Sequence, residues 1–337
     1  MTKASLNLLT YVKLPQTDEQ LVALDLAFAE RRLHLISGFV GSGRHALYRY
    51  WLTGRWEGQA PPKDAVRPEE VLFVKLETPE RSSMSGQRAL IRAVRHSLDR
   101  RLRPAYMVAR GMGSDALPLS TRSDIHKVIR SIRKDLGELK IKLLVLDNGD
   151  ILDDDSLNQV LEFFLDYDDV YGTITRLRSI LIIAATDKGQ KNKVWTKIRA
   201  NGDARAAALP APIELDRLNV QSLPIAFSHL LKNNLGAELD RSGSDIVRKK
   251  QMREFLAEIL RRTRGDWHNI PPVLKSLDLR LGQALEGKKR LLTKQVMDEV
   301  LSDLKQLSEQ GVLERVEEQK SSPSDAGGAP IEGGNQK

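Results

Sequence analysis

The chain has 337 residues, carries 53 Lys and Arg against 45 Asp and Glu, and contains no cysteine. That length allows one large α/β domain plus a smaller one, and the missing cysteine excludes disulfides and thiolate metal sites. No run approaches the ~20 apolar residues of a membrane span, and MTKASLNLLTYVKLP lacks the apolar stretch of a secretory leader, so the expected compartment is cytoplasmic.

Residues 1–16 read as an N-terminal arm. Thr17-Asp18-Glu19-Gln20 has capping-box spacing, with Thr17 as the cap and Gln20 reaching back. The stretch LVALDLAFAERR that follows has apolar residues at helical spacing. It runs into LHLISG (33–38), a short apolar run with strand character, and then into SGFVGSGRHAL (37–47). The pattern G-x-x-G-x-G is complete there, but Arg44 and His45 stand where a phosphate loop has Lys and Ser or Thr.

Further strands are expected at VLFVKLE (71–77), IKLLVLDN (141–148), SILIIAAT (179–186) and, more weakly, PIELDRL (212–218). Helices over about 86–103, 122–137 and 156–166 fill the gaps between them. Strands alternating with helices predict a parallel sheet of five strands flanked by helices. After residue 218 the apolar strand runs stop, and four amphipathic stretches predict an all-helical C-terminal domain over 219–310. Ser222, Ser244 and Thr293 are candidate caps there, and Gly236, Gly265 and Gly311 candidate stops. The remainder, 311–337, is Gly-, Ser- and Pro-rich and is expected to be a disordered tail.

The chemistry rests on three places. Gly38, Gly41 and Gly43 let the loop Gly38, Val40, Gly41, Ser42, Gly43, Arg44, His45, Ala46 curl so that its N–H groups converge. The helix beginning near Arg44 adds the positive end of its dipole, so an anion site is expected. Asp147 ends an apolar strand, where a carboxylate holds magnesium beside a phosphate or caps the turn that follows. Thr186 ends the next strand, where a hydroxyl would lie beside the terminal phosphate.

The positive charge is clustered. Residues 81–110 hold eight Arg against one Asp, and 248–264 hold seven cations against two Glu. Such clusters mark a polyanion partner, or else a solvated helix face. On the helix at 88–103, Ile91, Val94, Leu98 and Leu102 form an apolar stripe, with Arg88, Arg92, Arg95 and Arg103 on its flank. Arg110 opens a glycine-containing loop. These five arginines are the candidate contacts to duplex DNA, made through phosphates and independent of sequence.

Taken together, the order helix, strand, glycine loop, strand, Asp-ended strand, Thr-ended strand and helical lid resembles the AAA+ class of P-loop ATPases. Within it the lead-in LPQTDEQLVALDLAF, the compact lid, RRTRGDWHNIPPVLKSL and the basic character resemble the TniB/TnsC/MuB group of transposition regulators. ExeA-like and origin-recognition ATPases are similar at this level. The resemblance implies ATP or ADP with magnesium on Asp147, a homo-oligomer on DNA, and a transposase or targeting protein as partner. It implies a trans arginine from a neighbouring subunit, for which Arg199 and Arg205 are the candidates unless they are surface arginines, and it puts Trp267 and His268 where a lid residue would face the nucleotide, with a core role as the default for Trp267. It also exposes three departures. Arg44 replaces the loop Lys, His45 replaces the hydroxyl that holds magnesium, and Asn148 replaces the Glu that polarises water. All three point to hydrolysis that is weak or lost. Asp150 is the alternative base. An active ATPase of the same superfamily and a protein-only scaffold with a vestigial site are the alternative functions.

Overall fold

The structure, a computed structural model, describes residues 11–30, 33–77, 86–110, 125–160, 177, 179–186, 194, 196–197, 211–240, 242, 244–282 and 290–313. Side chains are described for these except at 86–87, 103–110, 125–126 and 159.

Helix α1 (Thr17–Ala29) forms where its periodicity places it, but its start differs from the capping-box expectation. Gln16 holds the cap position without a side-chain bond. The Thr17 hydroxyl instead accepts the N–H of Leu14 at 2.9 Å. Gln20 N–H bonds to the Gln16 carbonyl at 3.1 Å. The polar residue therefore closes the turn before the helix and not the first turn inside it.

Five strands follow: β1 (Leu33–Gly38), β2 (Val71–Lys75), β3 (Leu143–Asp147), β4 (Ser179–Ala185) and β5 (Ile213–Leu215). They form one sheet in the order β2-β3-β4-β1-β5, and every pairing is parallel. Alternate residues bury on opposite faces, as the pleat requires. Leu35, Leu144, Leu146, Ile180 and Ile182 face one core, and Ile36, Leu143, Val145, Leu181 and Ile183 face the other. Helices α3 (Gly86–Arg110), α4 (Ile125–Glu138) and α5 (Asp154–Val160) pack on the first face, and α1 and α2 (Arg44–Leu52) on the second. Strands buried on both sides read as the continuous apolar runs that mark them in the sequence.

The C-terminal region is helical: α6 (Ser222–Asn233), α7 (Asp245–Thr263), α8 (Ile270–Leu281) and α9 (Lys294–Glu309). Its own core gathers Phe227, Phe255, Leu277 and Val300. Within it, β6 (Ala237–Leu239) and β7 (Arg290–Leu292) pair in parallel, a small sheet additional to the helices expected. Three-residue strands are too short to show a period, so the sequence gives no sign of them. Thr293 caps α9 as expected, accepting the Val296 N–H at 3.3 Å. At α6 the cap position is held by Gln221 and not Ser222, and the Asn219 Oδ1 accepts the N–H groups of Gln221 and Ser222. The end of the arm touches both parts: Val12 buries in the helical core, and Tyr11 stacks on Tyr50 of α2 at 4.3 Å. No helix among the described residues is long and apolar enough to cross a membrane.

Candidate functional site

Parallel strands present their carboxyl ends along one edge of a sheet, and the loops there make sites. Here Gly38 pairs with Ala185, and Asp147 with Ile183, so β1, β3 and β4 finish side by side. The Thr186 N–H donates to the Gly38 carbonyl at 3.0 Å, binding the end of β4 to the start of the loop.

The loop turns from β1 into α2 through Gly41 (φ 79°) and Gly43 (φ 91°), both in the left-handed region that favours glycine. Gly43 is the cap of α2, and the Leu47 N–H bonds to its carbonyl at 2.9 Å. Ser42 is buried and its hydroxyl has no partner. That hydroxyl points toward Gly38, where an added Cβ would meet it at 2.5 Å. Val40 is exposed at the tip, its carbonyl 3.4 Å from the Arg217 Nε, and Ala46 is exposed on the first turn. The Thr186 hydroxyl is likewise buried and, among the described residues, without a partner. Two spare hydroxyls and the start of a nine-residue helix make a cradle that suits phosphate oxygens.

Arg44 and His45 open α2 and meet β3. His45 Nε2 lies 2.7 Å from Asp147 Oδ1, with the Asp147 side chain only 8% exposed. The same oxygen accepts the Asn148 N–H at 3.0 Å. Burial pushes the Asp147 carboxyl up. The His45 hydrogen bond and charge, the Asn148 N–H and the Arg44 charge outweigh it, and the pKa falls below its ordinary value. For Arg44 the order is reversed. Burial lowers its pKa, and the Asp150 and Asp147 charges only partly restore it.

Asn148 is engaged with the neighbouring strand end. It sits in the left-handed region (φ 59°), which Asn tolerates better than Glu. Its Nδ2 donates to the Leu76 carbonyl at 3.0 Å, tying β3 to the end of β2. Asp150, the alternative base, is also in use: its Oδ1 accepts the Ala185 N–H at 2.9 Å. Both residues hold strand ends together.

The helical region closes on the loop from outside. The Trp267 N–H donates to the Gly41 carbonyl at 3.0 Å, and the Trp267 ring lies against Gly43 while also packing on the helical core. Asp266 is fully buried and occupies the space that a Gly41 side chain would need, 1.8 Å from an ideal Cβ. One of its oxygens accepts the His268 N–H at 2.8 Å, and the other has no partner. The His268 side chain is 62% exposed. Asp266 was not among the expected site residues. A charged residue beside the glycine that ends α7 is its only sequence signal.

The arginines divide. Arg88 is exposed and Arg92 half-buried, and neither makes an ion pair among the described residues. Arg95 is engaged within the fold: its guanidinium binds Asp99 at 2.6 Å and also Asp135 of α4, and its side chain is only 14% exposed. Burial works against the Arg95 charge, but the two carboxylates outweigh it and hold its pKa up. At Asp135 burial wins and the carboxyl rises despite Arg95. Arg95 thus joins α3 to α4. Arg101 donates to the carbonyls of Val71 and Glu69. Arg100 and His96, both exposed, extend the Arg88–Arg92 row at four-residue spacing, a signal present in the sequence but not used. The side chains of Arg103 and Arg110, and all of Arg199 and Arg205, lie outside the described residues. In α7, Arg248 and Lys249 pair with Asp245, and Arg261 and Arg262 with Glu258.

The sequence matches no protein-family model and no curated protein at a significant level. Solved structures do match. The Aeropyrum pernix ORC2 protein in its ADPNP-ADP complexes superimposes with a TM-score of 0.51 at 11% identity, over 87% of this chain and 70% of that one. The likeness is one of fold: a parallel five-stranded sheet flanked by helices, with a helical C-terminal region. Cdc6p from Pyrobaculum aerophilum is 17% identical over 82% of this chain and 65% of its own, with a TM-score of 0.49. At 11% identity the likeness to ORC2 is one of fold and says nothing of the chemistry. The loop, the ends of β3 and β4 and the Gly265–His268 junction meet at one edge of the sheet.

Proposed function

We propose that this chain is a nucleotide-holding AAA+ adaptor of the TniB/TnsC/MuB kind. On this reading it oligomerises on duplex DNA, recruits a transposase or another targeting protein, and turns ATP over weakly or not at all. The observation that carries it is the 2.7 Å bond between His45 and Asp147, which spends on a side chain the carboxylate that hydrolysis would spend on an ion. The engagement of Asn148 with Leu76 and of Asp150 with Ala185 supports the same conclusion, because each residue is tied to a strand end. The spare hydroxyls of Ser42 and Thr186 support phosphate binding. The row Arg88, Arg92 and Arg100 supports sequence-independent contact with a phosphate backbone.

Phosphate release measured with and without duplex DNA, together with electron micrographs of the protein on DNA with and without ATP, tests this. The expected result is multimers on DNA and no sustained release. Sustained release that Asp147→Ala abolishes would support the active-ATPase reading instead. The pairing of four α7 cations with α7 carboxylates favours a second reading, a protein-only scaffold. No gel shift of duplex DNA at low salt would select it.

A further inference from the structure

The AAA+ fold implies a magnesium ion next to the phosphates, and the residues at that corner do not fit one. Magnesium demands near-octahedral oxygen ligands at about 2.0–2.1 Å. Asp147 Oδ1 already takes two hydrogen bonds, from His45 Nε2 at 2.7 Å and from the Asn148 N–H at 3.0 Å. An ionised carboxylate only accepts, so the proton of the first bond sits on His45 Nε2. A protonated ring nitrogen thus stands where the bond from that oxygen to an ion would lie. His45 also stands at the position where a phosphate loop carries the Ser or Thr hydroxyl that would give the ion a second ligand. The nearby Asp150 is engaged by the Ala185 N–H. Among the described residues no three His, Asp or Glu side chains gather to hold a metal.

The anion side of the site has kept its parts. The Ser42 hydroxyl is more than nine-tenths buried, lacks a partner and points into the curl of the loop at Gly38. Arg44 is a partly buried cation at the first position of α2, and a guanidinium takes two phosphate oxygens at once where an ammonium takes one. We infer that the chain holds a nucleoside polyphosphate without a divalent cation, because His45 closes the metal corner while Arg44, Ser42 and the loop amides carry the phosphates. The inference rests on the nucleotide-holding reading above and says how that site is held.

The test titrates the full-length chain with methylanthraniloyl-labelled ADP and ATP, once in excess magnesium and once in EDTA. The two dissociation constants are expected to agree within about threefold. Binding at least about tenfold tighter with magnesium overturns the inference and leaves the nucleotide reading standing. Binding in neither buffer overturns both. The double variant Arg44→Lys/His45→Thr restores the ammonium and the hydroxyl, and it is expected to become magnesium-dependent by about tenfold or more. Its melting curve reports whether it folds. Asp147→Asn supplies an independent readout in the parent chain. It is expected to shift both titrations equally, since the residue positions His45, and a shift confined to the magnesium titration would overturn the assignment.

Discussion

His34 gives the sharpest quantitative expectation. It lies in β1 on the same side of the strand as Ile36, is 2% exposed, and neither ring nitrogen has a hydrogen-bond partner among the described residues. Burial alone pulls its pKa from 6.5 down to about 4. In the unfolded chain the ring takes up a proton near pH 6.5, while in the folded chain it stays neutral until about pH 4. The stability that a neutral His34 confers is therefore complete above pH 6.5 and is lost as the pH falls through that window. At 1.36 kcal/mol for each pH unit, the loss reaches about 3 kcal/mol by pH 4. Urea unfolding of the parent chain and of His34→Leu at steps from pH 7.5 to 4 isolates this contribution, because carboxylates titrate equally in both. The variant is expected to gain about 3 kcal/mol on the parent as the pH drops, through lost proton uptake by the unfolded state. Parallel pH profiles for the two proteins would refute the reasoning.

Gly41→Ala combines a left-handed backbone with a Cβ placed 1.8 Å from the Asp266 carboxylate. It is expected to lower stability by roughly 1–3 kcal/mol and to weaken binding of labelled nucleotide, read by melting and titration. Asn148→Glu is expected to restore no sustained phosphate release, because Glu pays about 1–2 kcal/mol for the left-handed conformation and the bond to Leu76 is lost. Arg95→Ala should destabilise the chain by about 1–3 kcal/mol, as it strands the half-buried Asp135, yet leave duplex affinity unchanged. Arg88→Ala and Arg92→Ala should do the opposite: unchanged melting, weaker duplex binding, and a shallower salt dependence by about one per residue in gel shifts.

Much of this architecture is legible in the chain. Runs such as LLVLD and ILIIAA are apolar because helices cover both faces of the strands, and that made β3 and β4 readable before any coordinates. The glycine loop was readable for a similar reason: positions 41 and 43 require left-handed backbone, and glycine supplies it. The destinations of polar side chains were not. Arg95 sits on the flank of its helix in any helical projection, yet the partner that removes it from the surface, Asp135, lies forty residues away. Asn148 occupies a catalytic position in the chain, but its backbone angle and its bond to Leu76 appear only once β2 and β3 are paired. The contact of Asp266 with Gly41 joins residues more than two hundred positions apart, and no local pattern announces it.

That last contact has a mechanical consequence. The segment Gly265–Trp267 is pinned at two points, to Leu218 where the chain leaves the sheet and to Gly41 on the loop. Gly265 has no room for a side chain against the Leu218 carbonyl, so this pivot cannot slacken by substitution. Any guest that shifts the loop backbone must tug the whole four-helix cap with it, like a lever held at its fulcrum.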